Sequence, residues 1–345
     1  MFGEAGEAAA RRINAVSRIR CASLAVALAL VGCAAITPAT STQLAPADAP
    51  LPAAQEFHLA APAFAPGQVT VSVQLPPGYD PAARREYPVL YVNDGQDMPA
   101  VRLRETLQDL YRERAIRPVI VVAIHMLPDR MGTYGLSDRA HARSVVAQTK
   151  YGPVGARAHD YSGWVAHTLV PWVDARYRTQ PGPEARAILG WSLGALNAFN
   201  LGWQYPDVFG RIGAFSPSFW LSADNRDAEV VQRTRLAQRM VDGTPPRTRS
   251  PMFFAVGTEE ESDDRDGDGV NDAIDDTRDL IEGWHGRDGS TLKGLRQQGY
   301  AINLDYPARS ARADVALYTL QGGRHEQAAW ARMLPVFLHW AYGVQ

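Results

Sequence analysis

Cysteine is nearly absent: only Cys21 and Cys33 occur among 345 residues. Two thiols near the start exclude a disulfide scaffold and are too few for a four-ligand zinc centre. Positive charge is not in excess either. Thirty-five Lys and Arg face 37 Asp and Glu, a formal charge of −2, so no surplus is available to neutralise a phosphate backbone and no nucleic-acid partner is expected. Past the N-terminus no apolar run is long enough to span a bilayer, and no internal repeat is visible. A chain that is 46% hydrophobic and 21% charged is nevertheless globular, large enough for one α/β domain or two small ones. That composition excludes disorder, collagen and bare coiled coil.

Arg11, Arg12, Arg18 and Arg20 precede an apolar run over 21–31, too short for a stable spanning helix but suited to the core of a secretory signal. The run closes on Leu30-Val31-Gly32-Cys33, which resembles the lipobox of bacterial lipoproteins. That resemblance implies removal of residues 1–32, acylation of Cys33 and a lipid-anchored protein of the bacterial cell envelope. With Ala34 after the cysteine, it further implies the outer membrane in a Gram-negative source. Residues 33–55 are rich in Ala, Pro and Thr with almost no charge, a composition that buries too little surface to fold. They are expected to form a tether, leaving residues 56–345 as the folded body.

From Phe57 onward, short β-branched runs alternate with helical patterns. Residues 69–75 alternate like a half-buried strand, while 89–92, 119–124 and 188–189 read as fully buried strands. Leu103, Leu107, Leu110 and Tyr111 fall at helical spacing, and Trp164, Leu169, Trp172 and Val173 do so more loosely. The alternation continues through 212–215, 252–256 and 315–320, ending in an amphipathic helix through Trp330, Leu334, Phe337, Leu338 and Ala341. This series predicts an α/β fold with a mainly parallel sheet and helices on both faces. Ligands of such sheets sit at the carboxyl ends of the strands.

At the end of one predicted strand stands Gly190-Trp191-Ser192-Leu193-Gly194, followed by a small, apolar helical segment. The pattern is a nucleophile elbow: the serine occupies a strained turn, and the glycines let strand and helix approach closely. A serine hydroxyl is a poor nucleophile at neutral pH. It needs a base, and a carboxylate to orient that base, in the chain order serine, acid, histidine. Only His285, His325 and His339 follow Ser192. His325 comes after the last strand as Gly322-Gly323-Arg324-His325 and is the expected base; His285 and His339 are placed in helices. For the acid, Gly257-Thr258-Glu259-Glu260-Glu261 offers three carboxylates after the 252–256 strand, and periodicity does not choose among them.

Taken together, several segments resemble the esterase D and enterochelin esterase-like branch of the α/β-hydrolases over residues 68–343. They are Tyr87-Pro88-Val89-Leu90-Tyr91 with Asp94-Gly95-Gln96, the Ser192 elbow, Tyr205-Pro206-Asp207-Val208-Phe209-Gly210, Ser216-Pro217-Ser218-Phe219-Trp220, and Gly322-Gly323-Arg324-His325 with Trp330. The resemblance implies the α/β-hydrolase fold, serine acyl-ester chemistry and no organic cofactor. It selects Glu260 as the acid, with Glu259 in reserve. It also implies an oxyanion hole made by the backbone N–H groups of Gln96 and Leu193. One departure is Ala195, where the family usually has a second glycine.

Directly after the acidic run, residues 264–275 place acids at positions one, three, five and twelve and glycine at six. This is calcium-loop spacing, because the tight turn lets successive side chains converge on one ion. The segment resembles EF-hand-like and thrombospondin type 3 loops. The ligands implied are Asp264, Asp266, Asp268, the Val270 carbonyl and Asp275, with Asp272 acting through water. A solvated acidic loop is the other reading of the same residues. As an insertion over 262–276 it would hold calcium in a structural role.

The expectation is therefore a secreted, lipid-anchored serine esterase acting on a small-molecule or glycan ester such as a siderophore, feruloyl or acetyl-sugar ester. Ser192, His325 and Glu260 would be its catalytic residues. A non-catalytic calcium-binding protein on the same fold, and an acyltransferase of the mycolyltransferase type, are the alternatives. Trp191, Phe219 and Trp220 would either line the cleft or belong to the core.

Overall fold

Residues 49–245, 250–261, 263–308 and 313–344 are described by a computed structural model of the chain. The predicted signal segment, Cys33 and most of the tether lie outside them.

Nine strands form one sheet. In chain order they are β1 Gln55–Ala60, β2 Gln68–Gln74, β3 Val89–Val92, β4 Ile120–Ile124, β5 Arg186–Trp191, β6 Arg211–Phe215, β7 Met252–Gly257, β8 Ile302–Asn303 and β9 Val315–Leu320. Their spatial order is β1-β2-β4-β3-β5-β6-β7-β9-β8. β1 and β2 pair antiparallel with each other, and β2 with β4; every other pairing is parallel. The sheet is mainly parallel with helices on both faces, as the alternation of runs predicts, and it agrees with the α/β-hydrolase fold that the family resemblance implies.

The central strands are buried along their whole length because both faces are covered. Successive side chains point to opposite faces. Ile188 of β5 therefore enters one core, with Tyr91, Ile212 and Phe254, while Ala187, Leu189 and Trp191 enter the other, with Phe215 and Phe253. Helices α1 (Leu103–Arg112) and α5 (Gln327–Tyr342) cover the second core. The first lies under α2 (Ala158–Trp164) and α3 (Leu193–Gln204). All four predicted apolar positions of α1 are buried. At roughly 1.5–3 kcal/mol for each large side chain, that stripe holds the helix to the sheet.

Three differences from the sequence reading have physical causes. The loose spacing around Trp164 and Leu169 reflects a π-helical turn, Val165–Leu169, which joins α2 to a further helical segment Val170–Arg176. The five-residue step keeps both Trp164 and Leu169 buried. His285 is not helical; it lies in the two-residue strand Trp284–His285 paired with Thr291–Leu292, and is exposed. Lastly, the tether does not extend to residue 55. Leu51 is buried, Arg104 of α1 donates to the Leu51 and Pro52 carbonyls, Gln108 donates to the Ala49 carbonyl, and β1 starts at Gln55. Backbone carbonyls that find side-chain donors on a neighbouring helix hold even a low-complexity segment in place.

Candidate active site

The carboxyl ends of β3, β5, β6, β7 and β9 meet at one edge of the sheet. Ser192 sits between β5 and α3 with φ 57° and ψ −127°, and its N–H donates to the Phe215 carbonyl at 3.0 Å. Gly190 is dictated by packing: a Cβ there would lie 2.1 Å from the Gly194 carbonyl oxygen. Ala195, the departure from the family pattern, is fully buried among the residues of the first core. Its methyl group is therefore a packing feature rather than an obstruction of the cleft.

Of the three acids after β7, Glu260 reaches His325. Its Oε2 lies 3.2 Å from His325 Nδ1, with the carboxylate almost fully buried and the imidazole 41% exposed. The other oxygen, Oε1, accepts from Ser216 Oγ at 2.6 Å and from the Gly257 N–H at 2.6 Å. Ser216 in turn accepts from Trp330 Nε1 at 2.9 Å, and Trp330 meets the His325 ring edge-on and stacks on Trp191. Glu259 instead points outward toward Arg324 at 3.6 Å. Glu261 lines the cleft, where burial and Asp263 push its carboxyl up. The acid and base turns are also joined by backbone: the Glu259 N–H donates to the Gly323 carbonyl, and a Cβ on Gly257 would lie 2.2 Å from that oxygen.

A cleft of about 670 Å³ opens over this edge. Ser192, Leu193 and His325 line it, with Trp220, Tyr151 and Arg130 among the other walls. Trp220 and Tyr151 are exposed aromatics; Trp191 and Phe219 are buried and belong to the core. Gln96 borders a neighbouring hollow of about 390 Å³, and its side-chain carbonyl accepts from the Met126 N–H. Among the described residues, the backbone N–H groups of Gln96 and Leu193 donate to no acceptor within the protein.

Several residues at this edge carried no sequence signal as a set. Asp94 begins the turn Gly95–Asp97 with φ 57°, and its buried carboxylate takes two bonds from Arg130, at 2.8 and 2.9 Å. Asp97 accepts from Trp191 Nε1 at 3.0 Å. Asp94 and Ser216 stand inside the motifs already quoted and Asp97 directly follows one, but their partners are distant in sequence.

Beside the cleft, Asp264, Asp266 and Asp268 offer carboxylate oxygens within 4.8 Å of one another, all exposed. Gly267 and Gly269 have positive φ, and the N–H groups of Gly267, Asp268 and Gly269 turn toward Asp264. Val270 follows, packed against the first core. Asp275 stands in the first turn of helix α4 (Asp272–Glu282), and its Oδ2 is buried without a hydrogen-bond partner among the described residues. Burial first, then Asp268 and Asp266, push the Asp275 carboxyl up to about 7. Asp272 stands apart from the three converging carboxylates: it accepts from the Arg265 N–H of the same loop and pairs with that guanidinium. Asn271 donates to the carbonyls of Gly257 and Thr258, which joins the loop to the turn carrying Glu260.

A family model described as "Putative esterase" matches residues 64–287. The chain belongs to that family. Among curated relatives of this family member, an uncharacterised Bacillus subtilis (strain 168) protein, YbbA, is 24% identical over 200 residues, covering 56% of this chain and 70% of that protein. An endo-1,4-beta-xylanase/feruloyl esterase of Xylanibacter ruminicola is 25% identical over 173 residues, 47% of this chain and 21% of that one. The Shigella flexneri enterobactin esterase Fes has a similar fold, with a TM-score of 0.58 at 16% identity over 85% of this chain and 60% of that one. A ferulic acid esterase superposes with a TM-score of 0.56 at 16% identity, covering 84% of this chain and 97% of that one. This chain thus spans well under half of the xylanase/feruloyl esterase and somewhat under two thirds of the Shigella esterase.

Proposed function

We propose that the protein is a serine carboxylic-ester hydrolase working through an acyl-enzyme. The observation that carries this reading is the 3.2 Å approach of Glu260 Oε2 to His325 Nδ1 beside the cleft that Ser192 lines. With Nδ1 donating to the carboxylate, Nε2 is left as the proton acceptor. Ser192 Oγ attacks the ester carbonyl carbon as its proton passes to His325 Nε2. The oxyanion that forms is held by the N–H groups of Gln96 and Leu193. Collapse breaks the bond to the alcohol oxygen, which leaves with the proton from His325. Water, deprotonated by the same nitrogen, then releases the acid and restores Ser192. Glu260 orients the imidazole and stabilises its protonated form.

The cleft volume and the exposed Tyr151 and Trp220 favour a small ester with an aromatic acyl part, of the siderophore or feruloyl type. Relatives described as enterobactin and ferulic acid esterases agree with that class. Ser192→Ala is expected to lower turnover of p-nitrophenyl acetate, and of a panel of aryl, acetyl-sugar and siderophore esters, by several orders of magnitude while the protein stays folded. Near wild-type turnover in that variant would reject the mechanism.

The 264–275 loop is read as a structural calcium site held by Asp264, Asp266, Asp268, the Val270 carbonyl and Asp275. The residues fit: three carboxylates converge, and a cation would relieve the repulsion that Asp275 feels from Asp266 and Asp268. Bound calcium would supply order and no step of the reaction. Cys33 is read as the lipid attachment point; replacing it with serine should move the protein from the membrane to the soluble fraction, and unchanged partition would reject the anchor.

A further inference from the structure

The turn Gly95–Asp97 that carries the Gln96 N–H is not part of the sheet, so something must hold it at the right distance from the elbow. Two contacts do this from its ends. Asp97 accepts from Trp191 Nε1, and Asn93 donates to the Gly194 carbonyl at 2.9 Å. The third support is Asp94 itself, which is 1% exposed and in the left-handed region, an arrangement that persists only where neighbours enforce it. Its carboxylate lies against Gly194, where a Cβ would come within 2.4 Å of Oδ2, takes the paired bonds from Arg130 Nε and Nη2, and is also faced by the Gln96 side chain. Arg130 Nη2 also lies 3.5 Å from the Trp191 carbonyl, at the base of the elbow. The guanidinium thereby touches both chain segments that lead into the expected oxyanion hole, at Asp94, two residues before Gln96, and at Trp191, two residues before Leu193.

We propose that Arg130 is a positioning residue: by gripping Asp94 with two parallel bonds, it holds the Gln96 N–H in register with the Ser192 elbow. The inference rests on the acyl-enzyme reading above. A two-pronged guanidinium fixes a carboxylate in angle as well as distance, which a lysine does not. Arg130 is fixed in its turn by the single helical turn Arg130–Thr133, capped by Asp129, and by the face of the Tyr134 ring. The other groups facing Asp94 are the Tyr134 hydroxyl, which accepts from its N–H, Tyr161 of α2, and Asp97 and Gln96 on its own turn. None of these except Arg130 is cationic. Burial pushes the Asp94 carboxyl up against the pull of Arg130. Without that pull the group is tolerated as the neutral acid and disfavoured as the anion.

The test measures kcat and KM per competent site, counted by titration with a fluorophosphonate, for wild type, Arg130→Met, Arg130→Lys and Arg130→Met with Asp94→Asn. Arg130→Met should lose about a hundredfold in kcat, the loss expected when one preorganised donor is taken away, with KM within about threefold. Its kcat relative to wild type should fall further as pH rises through the Asp94 titration, and Asp94→Asn should flatten that slope and recover part of the rate. A wild-type kcat in Arg130→Met, or a loss confined to KM and independent of pH, overturns the proposal. Should that variant not fold, Arg130→Lys decides: about a tenfold loss in kcat at unchanged KM supports positioning, and a wild-type kcat overturns it. If Ser192→Ala stays active, the parent mechanism is what has failed, so the two failures are separable.

Discussion

Asp94, Ser192 and Ser216 all have positive φ without being glycine, and all three stand where a strand ends at the cleft. Such conformations persist only where surrounding contacts over-determine them, and here the contacts are those of the site: Arg130 for Asp94, Phe215 for Ser192, Glu260 and Trp330 for Ser216. The turns that carry Ser192 and His325 were legible in the sequence because their flanking glycines are local signals. Choosing the acid was not possible from periodicity, since Glu259, Glu260 and Glu261 differ only in which way a tight turn aims them. The resemblance to known esterases selected Glu260, and that residue makes the contact with His325. The roles separate by mutation. Glu260→Gln should lower kcat by about 10²–10⁴, because an amide neither stabilises the imidazolium nor enforces the productive tautomer. Glu259→Gln should stay within about twofold of wild type, and a larger loss there than at Glu260 would reverse the assignment.

At the scale of elements, strands buried on both faces announced themselves as short apolar runs, and those at 89–92 and 315–320 have the expected limits. The edge strand β1 did not, because its burial alternates weakly and its pairing with β2 is a nonlocal event. The hairpin formed by Ala147–Thr149 and Gly152–Val154, which brings Lys150 and Tyr151 to the cleft, was missed because its strands are three residues long and its Lys150-Tyr151 turn lacks the Asn-Gly or Asp-Gly signal. The convergence of Asp264, Asp266 and Asp268 was legible from spacing alone; the link from this loop to the Glu260 turn was not, since Asn271 reaches the Gly257 and Thr258 carbonyls only once α4 is in place. Asp275 stands where stronger loops have a longer glutamate, so a dissociation constant on the order of 10⁻⁴ M is expected. Millimolar calcium should then stabilise the fold by about 1.4 kcal/mol. That corresponds to a rise in thermal midpoint of roughly 2–3 °C over chelator, absent in Asp266→Ala. Equal wild-type midpoints in both buffers would reject the site. Activity that survives chelation would agree with a structural ion.

Across the whole molecule, two cores back to back across one sheet leave the carboxyl edge as the place where loops from five strands converge, and that convergence is what puts residues 94, 192, 216, 260 and 325 together. Among the described residues no helix is long and apolar enough to cross a membrane. The fold class followed from the alternation of runs. What composition misjudged was the segment from 49 to 55, where buried Leu51 and the donors of Arg104 and Gln108 outweigh an unpromising sequence. The account as a whole depends on a covalent bond to one oxygen atom. Wild-type protein quenched in acid during the first turnovers of p-nitrophenyl acetate, then digested and weighed, should carry one acetyl group on the peptide that contains Ser192. The same peptide from Ser192→Ala should carry none. An acetyl group found on a different residue, or a full pre-steady-state burst of p-nitrophenol with Ser192 unmodified, would contradict the acyl-enzyme mechanism.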